Sequence, residues 1–147
     1  MSDFDFIIRN GSVVTGGGVL FADIGITDGK IAALQNNLSG TARREITATG
    51  LHVFPGLIDA HVHFNEPGRT EWEGIQTGSS ALAAGGGTLY FDMPLNAHPP
   101  TLNAASFDLK RRSADASSIT DFALWGGLVP ENLDHLEDLA ECGVIGF

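Results

Sequence analysis

Residues 55–63 read Pro-Gly-Leu-Ile-Asp-Ala-His-Val-His, a short and mostly apolar run that opens with a Pro-Gly turn signal. Such a run predicts a buried strand over residues 57–63. Because side chains alternate along a strand, Asp59, His61 and His63 share one face. Two imidazoles on that face can bind one metal ion through nitrogen, and Asp59 can support a ligand ring. A buried strand with two hydrogen-bonded histidines explains the same short motif, so its surroundings must decide.

The predicted pattern of secondary structure changes at this stretch. Short strands and turn signals, among them Asn10-Gly11 and Asp28-Gly29, predict a small all-β domain over residues 1–54. Strands alternate with helices over residues 55–147, which predicts a parallel α/β architecture. Further strands are expected at residues 88–93, 122–125 and 144–147.

Local signals in this second part predict how its elements begin and pack. Thr70-Glu71-Trp72-Glu73 matches a capping box, which predicts that a helix begins there. That helix is expected to end at Gly85-Gly86-Gly87. Both tryptophans, Trp72 and Trp125, are expected to be core residues.

Charge and composition exclude several classes of protein. A formal net charge of −10 argues against nucleic-acid binding, and the basic run Lys110-Arg111-Arg112 is expected to be a solvated helix face. The single cysteine, Cys142, excludes an internal disulfide framework and suits a reducing compartment. No stretch has the length and apolarity of a membrane span, so a cytoplasmic protein without a membrane partner is expected.

The motifs around the histidine pair point to a known family. They are Pro55 to His63, the adjoining Phe64-Asn65-Glu66-Pro67-Gly68-Arg69-Thr70-Glu71-Trp72-Glu73-Gly74, then Tyr90-Phe91-Asp92-Met93-Pro94-Leu95-Asn96, Trp125 to Pro130 and Gly143 to Phe147. In this order they resemble the cyclic amidohydrolases. The block from Asn65 to Gly74 is most similar to the allantoinase branch of that family.

The resemblance implies an α/β fold, the metal-dependent hydrolase (β/α)8 TIM-like barrel, with a small N-terminal β-sandwich domain. Residues 1–54 would be part of the sandwich and residues 55–147 the start of the barrel. A complete barrel needs roughly 250 residues. We therefore expect only the first barrel strands here, in an N-terminal portion of the enzyme.

The resemblance also implies a cofactor. It consists of two divalent metal ions, zinc in the first place and otherwise cobalt, nickel, manganese or iron, with His61 and His63 among the ligands. A carboxylated lysine, expected just after Phe147, would bridge the two ions. The remaining histidine ligands and a catalytic aspartate would come from later strands, so no catalytic residue is assigned within residues 1–147.

The expected reaction is opening of the hydantoin ring of allantoin to allantoate, with Asn65, Arg69 and Asn96 as candidate substrate-binding residues. Dihydroorotases resemble this chain but carry an arginine where Asn65 stands, and that arginine suits a substrate carboxylate. Simpler roles stay open for all three residues. Asn65 could do no more than shape its loop, and Asn96 could form a turn. Arg69 could pair with Glu71 or Glu73.

Three alternatives to this function stay open. The protein could be a hydantoinase or dihydropyrimidinase, a dihydroorotase, or a non-catalytic dihydropyrimidinase-like scaffold that lacks metal ligands. The intact pair of His61 and His63 argues against the scaffold. A small-molecule substrate is the expected partner, and a homotetramer or homodimer is the expected assembly.

Overall fold

The computed structural model describes residues 2–147 as two compact units of a mixed α/β chain. The first unit runs to Pro55 and the second from Gly56 to Phe147. The sequence pattern predicts the domain boundary one residue earlier, between residues 54 and 55. Within the described residues, no helix is both long and apolar enough to cross a membrane.

The first unit is a β-sheet. Its strands are β1 (Phe4–Thr15), β2 (Gly18–Thr27), β3 (Lys30–Gln35), β4 (Ala42–Thr47) and β5 (His52–Val53). The sheet order is β3-β2-β1-β4, and β5 also pairs with β1. The predicted hairpin at Asp28-Gly29 is confirmed, because Thr27 pairs with Lys30 and both turn residues have positive φ, 51° and 71°.

The turn predicted at Asn10-Gly11 is wrong. Strand β1 continues through it, and the register against β2 shifts between Ile8 and Gly11, which marks a bulge. Asn10 takes a φ of 58°, and its amide donates to the buried Asp23 carboxylate over 2.7 Å. This distant partner explains why a local turn signal becomes a bulge.

The second unit consists of parallel strands and covering helices. Its elements are β6 (Leu57–Val62), α1 (Ile75–Ala84), β7 (Gly87–Asp92), α2 (Ala104–Ser117), β8 (Asp121–Leu124), a 3-10 helix (Pro130–His135) and α3 (Leu136–Cys142). The sheet order is β6-β7-β8, with Val62 opposite Asp92 and Asp92 opposite Leu124. The carboxyl ends of all three strands therefore lie along one edge.

The fourth strand expected at residues 144–147 is not present as a strand. Two backbone hydrogen bonds nevertheless tie this segment to the end of β8. The amide of Ile145 donates to the Leu124 carbonyl over 3.0 Å, and that of Gly126 donates to the Gly146 carbonyl over 2.9 Å. Two bonds are too few to make a regular ladder.

Helix α1 begins later than the capping box predicted. The N-cap is Gly74, which has no side chain, and the amide of Ile75 donates to Oε2 of Glu66 over 3.0 Å. The cap is therefore a carboxylate from the preceding loop, where the helix dipole favours negative charge. Glu73 lies before the helix and pairs with the loop after β6 instead, since its backbone carbonyl accepts from the amide of Asn65.

The core of this unit lies between the sheet and its helices, around Phe64, Ile75, Tyr90 and Ala114. Two glycines permit the close packing. A Cβ on Gly78 would lie 2.3 Å from the Phe64 ring, and one on Gly87 would lie 2.4 Å from the Leu82 side chain.

Strand β6 was expected to be buried and is not. Leu57 and Ile58 are 60% and 55% exposed, because β6 is an outer strand of the three-stranded sheet. Only the end of the strand reaches the core, where Val62 packs against the cluster around Phe64.

Candidate metal centre at the carboxyl ends of the strands

The two histidines lie together at the carboxyl end of β6. Their ring centroids are 5.2 Å apart and the ring planes are inclined by 66°. With zinc–nitrogen distances of about 2.0–2.1 Å, two imidazoles on one tetrahedral ion have centroids about 5 Å apart. Both residues are exposed. The spacing of His61 and His63 therefore fits two ligands of a single metal ion.

Two imidazoles alone do not complete a metal site. Within residues 2–147, no third histidine, cysteine or carboxylate joins His61 and His63 in a group that could hold a metal. The nearest carboxylate in sequence, Asp59, accepts a hydrogen bond from the backbone amide of His61 over 3.1 Å. It therefore makes this hydrogen bond with the backbone of β6, not with an imidazole ring.

Asn96 lies beside His63. Its Nδ2 is 3.4 Å from Nδ1 of His63 and can donate to that nitrogen in the tautomer that leaves Nδ1 unprotonated. Asn96 has a φ of 74°, a left-handed conformation that asparagine tolerates better than most residues. In this conformation the Asn96 side-chain amide lies next to His63, a candidate ligand.

A cavity of about 300 Å³ opens next to His61. Its walls come from the strand ends and from the loops that follow β7 and β8, and His61, Met93, Leu95, Trp125 and Leu128 contribute to them. The lining is mainly apolar, with the imidazole of His61 among its few polar groups. Such a cavity suits a small molecule that is recognised by a few polar atoms.

The loop after β6 carries the other substrate candidates. Asn65 is 8% exposed, and its backbone donates to Glu73 and accepts from Arg69. The Arg69 guanidinium carbon lies 4.8 Å from the centroid of the Trp72 ring, a cation–π contact rather than the alternative pairing with Glu71 or Glu73. The core position predicted for Trp72 is wrong, because this residue is 62% exposed.

The prediction that Lys110 is solvated is also wrong. Its side chain is 1% exposed, and Nζ lies 3.1 Å from Oδ2 of Asp92, which is equally buried. Burial raises the pKa of Asp92 to about 6 against the opposing effect of Lys110, and burial likewise lowers the pKa of Lys110. Helical spacing could have revealed this position, because Phe107 and Ala114, three residues before and four after, are buried on the same face.

Asn132 is a second buried polar residue that the sequence did not reveal. Its Nδ2 donates to the carbonyls of Leu102 and Gly127 over 2.9 and 2.8 Å, and its Oδ1 accepts from the amide of Val129 over 2.9 Å. These bonds fix the loop of residues 126–129, which lines the cavity. Trp125, expected in the core, is half-buried and lines the cavity too.

Comparisons with known proteins agree with this picture. The sequence pattern described as "Amidohydrolase family" matches residues 52–142. An allantoinase from Solibacter usitatus (strain Ellin6076) is 62% identical over 141 residues, which are 96% of this chain and 31% of that protein. An allantoinase from Desulfitobacterium hafniense (strain Y51) is 58% identical over 147 residues, 100% of this chain and 33% of that protein.

A solved structure gives the same result for the fold. The L-hydantoinase (dihydropyrimidinase) from Arthrobacter aurescens superposes with a TM-score of 0.91 at 35% identity, covering 98% of this chain and 32% of that one. The chain thus spans about a third of the length of the relatives it matches. Since the family pattern covers most of its residues, this chain belongs to the amidohydrolase family.

Proposed function

We propose that the full-length protein hydrolyses a C–N bond of a cyclic amide, opening the hydantoin ring of allantoin to allantoate in allantoin degradation. The observation that carries the proposal is the pair of His61 and His63 at the carboxyl end of a parallel strand, the edge at which barrel enzymes place their active sites. Relatives named allantoinase at 58% and 62% identity support the choice of substrate.

The fold proposed for the whole protein is a (β/α)8 barrel that begins with β6, β7 and β8. Residues 55–147 would supply this first part, and residues 1–54 part of a β-sandwich. The parallel order β6-β7-β8 with covering helices supports the barrel. A cytoplasmic homotetramer or homodimer completes the proposal.

His61 and His63 would hold a divalent metal ion, zinc or otherwise cobalt, nickel, manganese or iron. When bound, such an ion polarises a carbonyl group and lowers the pKa of water towards about 7. We propose that residue 148 is a lysine that, once carboxylated, bridges this ion to a second one. Sequencing one residue beyond Phe147 tests the first part, and mass spectrometry of the native protein tests the carboxylation.

The protein's own residues would bind and orient the substrate. Asn65 and Asn96 offer amide groups, which can donate to or accept from the amide-rich ring and ureido arm of allantoin. Asp59 holds the backbone of His61, and the apolar cavity walls exclude water from the ring. Arg69, which stacks on Trp72, would contact the substrate from the loop above the site.

A hydantoinase is the second candidate. The observation in its favour is the TM-score of 0.91 with the L-hydantoinase from Arthrobacter aurescens. The two functions differ in what the site must recognise, since a hydantoin with an alkyl or aryl group at carbon 5 lacks the ureido arm of allantoin.

A substrate panel tests the proposal. The metal-loaded, full-length enzyme should hydrolyse allantoin and be nearly inert on dihydroorotate, because neutral Asn65 stands where dihydroorotases carry the arginine that pairs with the substrate carboxylate. The loss of this ion pair is worth about 3–5 kcal/mol, or more than about a hundredfold in kcat/KM. Comparable kcat/KM values for the two compounds contradict the assignment. Activity only on 5-alkyl or 5-aryl hydantoins or on dihydrouracil would instead favour the hydantoinase.

A further inference from the structure

A buried ion pair lies directly behind the candidate metal site. Asp92 ends β7, the middle strand of the sheet, and Lys110 reaches it from the covering helix α2. Their charged atoms are 3.1 Å apart and both side chains are 1% exposed. Burying two charges costs free energy that apolar side chains of the same size would avoid, so stability alone is a weak reason for this pair.

Each member of the pair also holds a backbone group at the strand edge. Oδ1 of Asp92 accepts from the amide of Phe64 over 3.1 Å, and Phe64 directly follows His63. Nζ of Lys110 donates to the carbonyl of Met93 over 2.9 Å. Residue 93 opens the loop after β7. The pair therefore ties the end of β6 to the start of this loop.

Asn96 connects the same two segments on the side of the histidines. It lies three residues after Met93, and its Nδ2 is 3.4 Å from Nδ1 of His63. His63 is thus held from both sides: its following peptide is fixed by Asp92, and its ring contacts the loop that Lys110 anchors. A shift of either anchor would move the ring relative to His61 and Asn96.

We infer that Asp92 and Lys110 are positioning residues, which hold His63 and the Asn96 loop in the arrangement that binds the metal ion and the substrate. The inference rests on the proposed function, in which His63 is a metal ligand. Neither residue contacts the ring of His63 in a hydrogen bond of its own. Their effect on the metal is transmitted through the peptide of Phe64 and the carbonyl of Met93.

The experiment separates positioning from a merely structural role. Full-length protein is prepared with Lys110→Met, with Asp92→Asn, and with both changes, and the zinc dissociation constant is measured by competition with a chelator. The melting temperature of each metal-free variant is recorded in parallel. Supporting partners of metal ligands are worth about 10–100-fold in metal affinity. We expect a loss of that size for Lys110→Met, and a smaller one for Asp92→Asn, which keeps an acceptor for the Phe64 amide.

The double variant is the decisive one. It removes both buried charges, so the melting temperature should recover towards that of the wild type. Zinc affinity should stay low, because the carbonyl of Met93 has still lost its donor. Leu139→Ala serves as the matched control, since Leu139 is fully buried in a separate cluster with Phe107 and Leu124. It should lower the melting temperature and leave zinc affinity unchanged.

The outcomes distinguish this inference from the proposed function. Zinc affinity that follows the melting temperature through all four variants would overturn the positioning role alone. Wild-type protein that binds zinc but leaves allantoin intact would overturn the substrate assignment alone. Wild-type protein that binds no divalent metal would overturn both.

Discussion

Trp125, the residue after β8, donates its indole N–H to the backbone carbonyl of Ala60 in β6 across 3.1 Å, and this bond spans the middle strand of the sheet. Ala60 immediately precedes His61, and both residues line the cavity together with Trp125. The indole therefore supports the same strand end that carries the candidate metal ligands.

Replacing Trp125 with phenylalanine should lower both stability and metal affinity. The aromatic ring is kept, but the Ala60 carbonyl loses its donor, which costs about 1 kcal/mol of unfolding free energy. Denaturant unfolding and zinc titration of the full-length protein measure the two effects. Trp72→Phe is the control, because this exposed residue should change stability by less than about 0.5 kcal/mol. Equal effects of the two substitutions would show that the Ala60 bond has no special role.

Replacing either His61 or His63 with asparagine should abolish stable metal binding. Each substitution removes one imidazole of the pair, and the loss should exceed the roughly 10–100-fold caused by losing a supporting partner. Metal content after dialysis, measured by elemental mass spectrometry, gives the result. His135→Asn is the matched control, since that side chain is half exposed on a distant helix and 3.9 Å from Asp138. Metal retained by both site variants would exclude this pair as ligands.

Gly78→Ala should destabilise the second unit even though alanine favours helices. The new methyl group would lie 2.3 Å from the Phe64 ring in the packed core, and such overpacking costs about 1–3 kcal/mol. The gain in helix propensity is only about 1 kcal/mol. Gly16→Ala, at an exposed position with no heavy atom within 4 Å of the new carbon, is the control. Thermal unfolding of both variants measures the difference, and a Gly78→Ala protein as stable as wild type would contradict the packing argument.

The carboxylate of Asp23 should make the protein less stable in acid. Burial alone would raise the pKa of Asp23, but the amides of Asn10 and Leu38 and the guanidinium of Arg9 outweigh it and lower the pKa below the ordinary aspartate value. A lowered pKa means that the stabilisation is complete above the ordinary pKa and is lost as the pH falls through the folded value.

Asp23→Asn should therefore cost about 1–3 kcal/mol at neutral pH, and the difference from wild type should shrink as the pH falls below the ordinary aspartate range. Denaturant unfolding across this pH range measures it. A difference that stays constant with pH would mean that the charge of Asp23 contributes nothing. Asp28→Asn, at an exposed hairpin turn, controls for the loss of one negative charge.

Much of the architecture follows from the sequence because its signals are local. Alternating strands and helices, the Asp28-Gly29 hairpin and the end of α1 at its glycines all depend on neighbouring residues, and all are observed. The shared face of His61 and His63 follows from strand periodicity in the same way. Family membership was also readable from the sequence, since most of its motifs are contiguous blocks within the matched residues 52–142.

Other features depend on residues far apart in the chain. The sequence could not show that Glu66 caps α1 in place of Thr70, that Lys110 is buried against Asp92, or that Trp125 bonds to Ala60. Asn132 holds the carbonyl of Leu102, 30 residues earlier. Such polar groups are drawn inwards only when folding supplies a partner that offsets the loss of hydration. Periodicity and turn chemistry thus determined the elements of this protein, whereas the tertiary structure decided which buried polar groups support its candidate site.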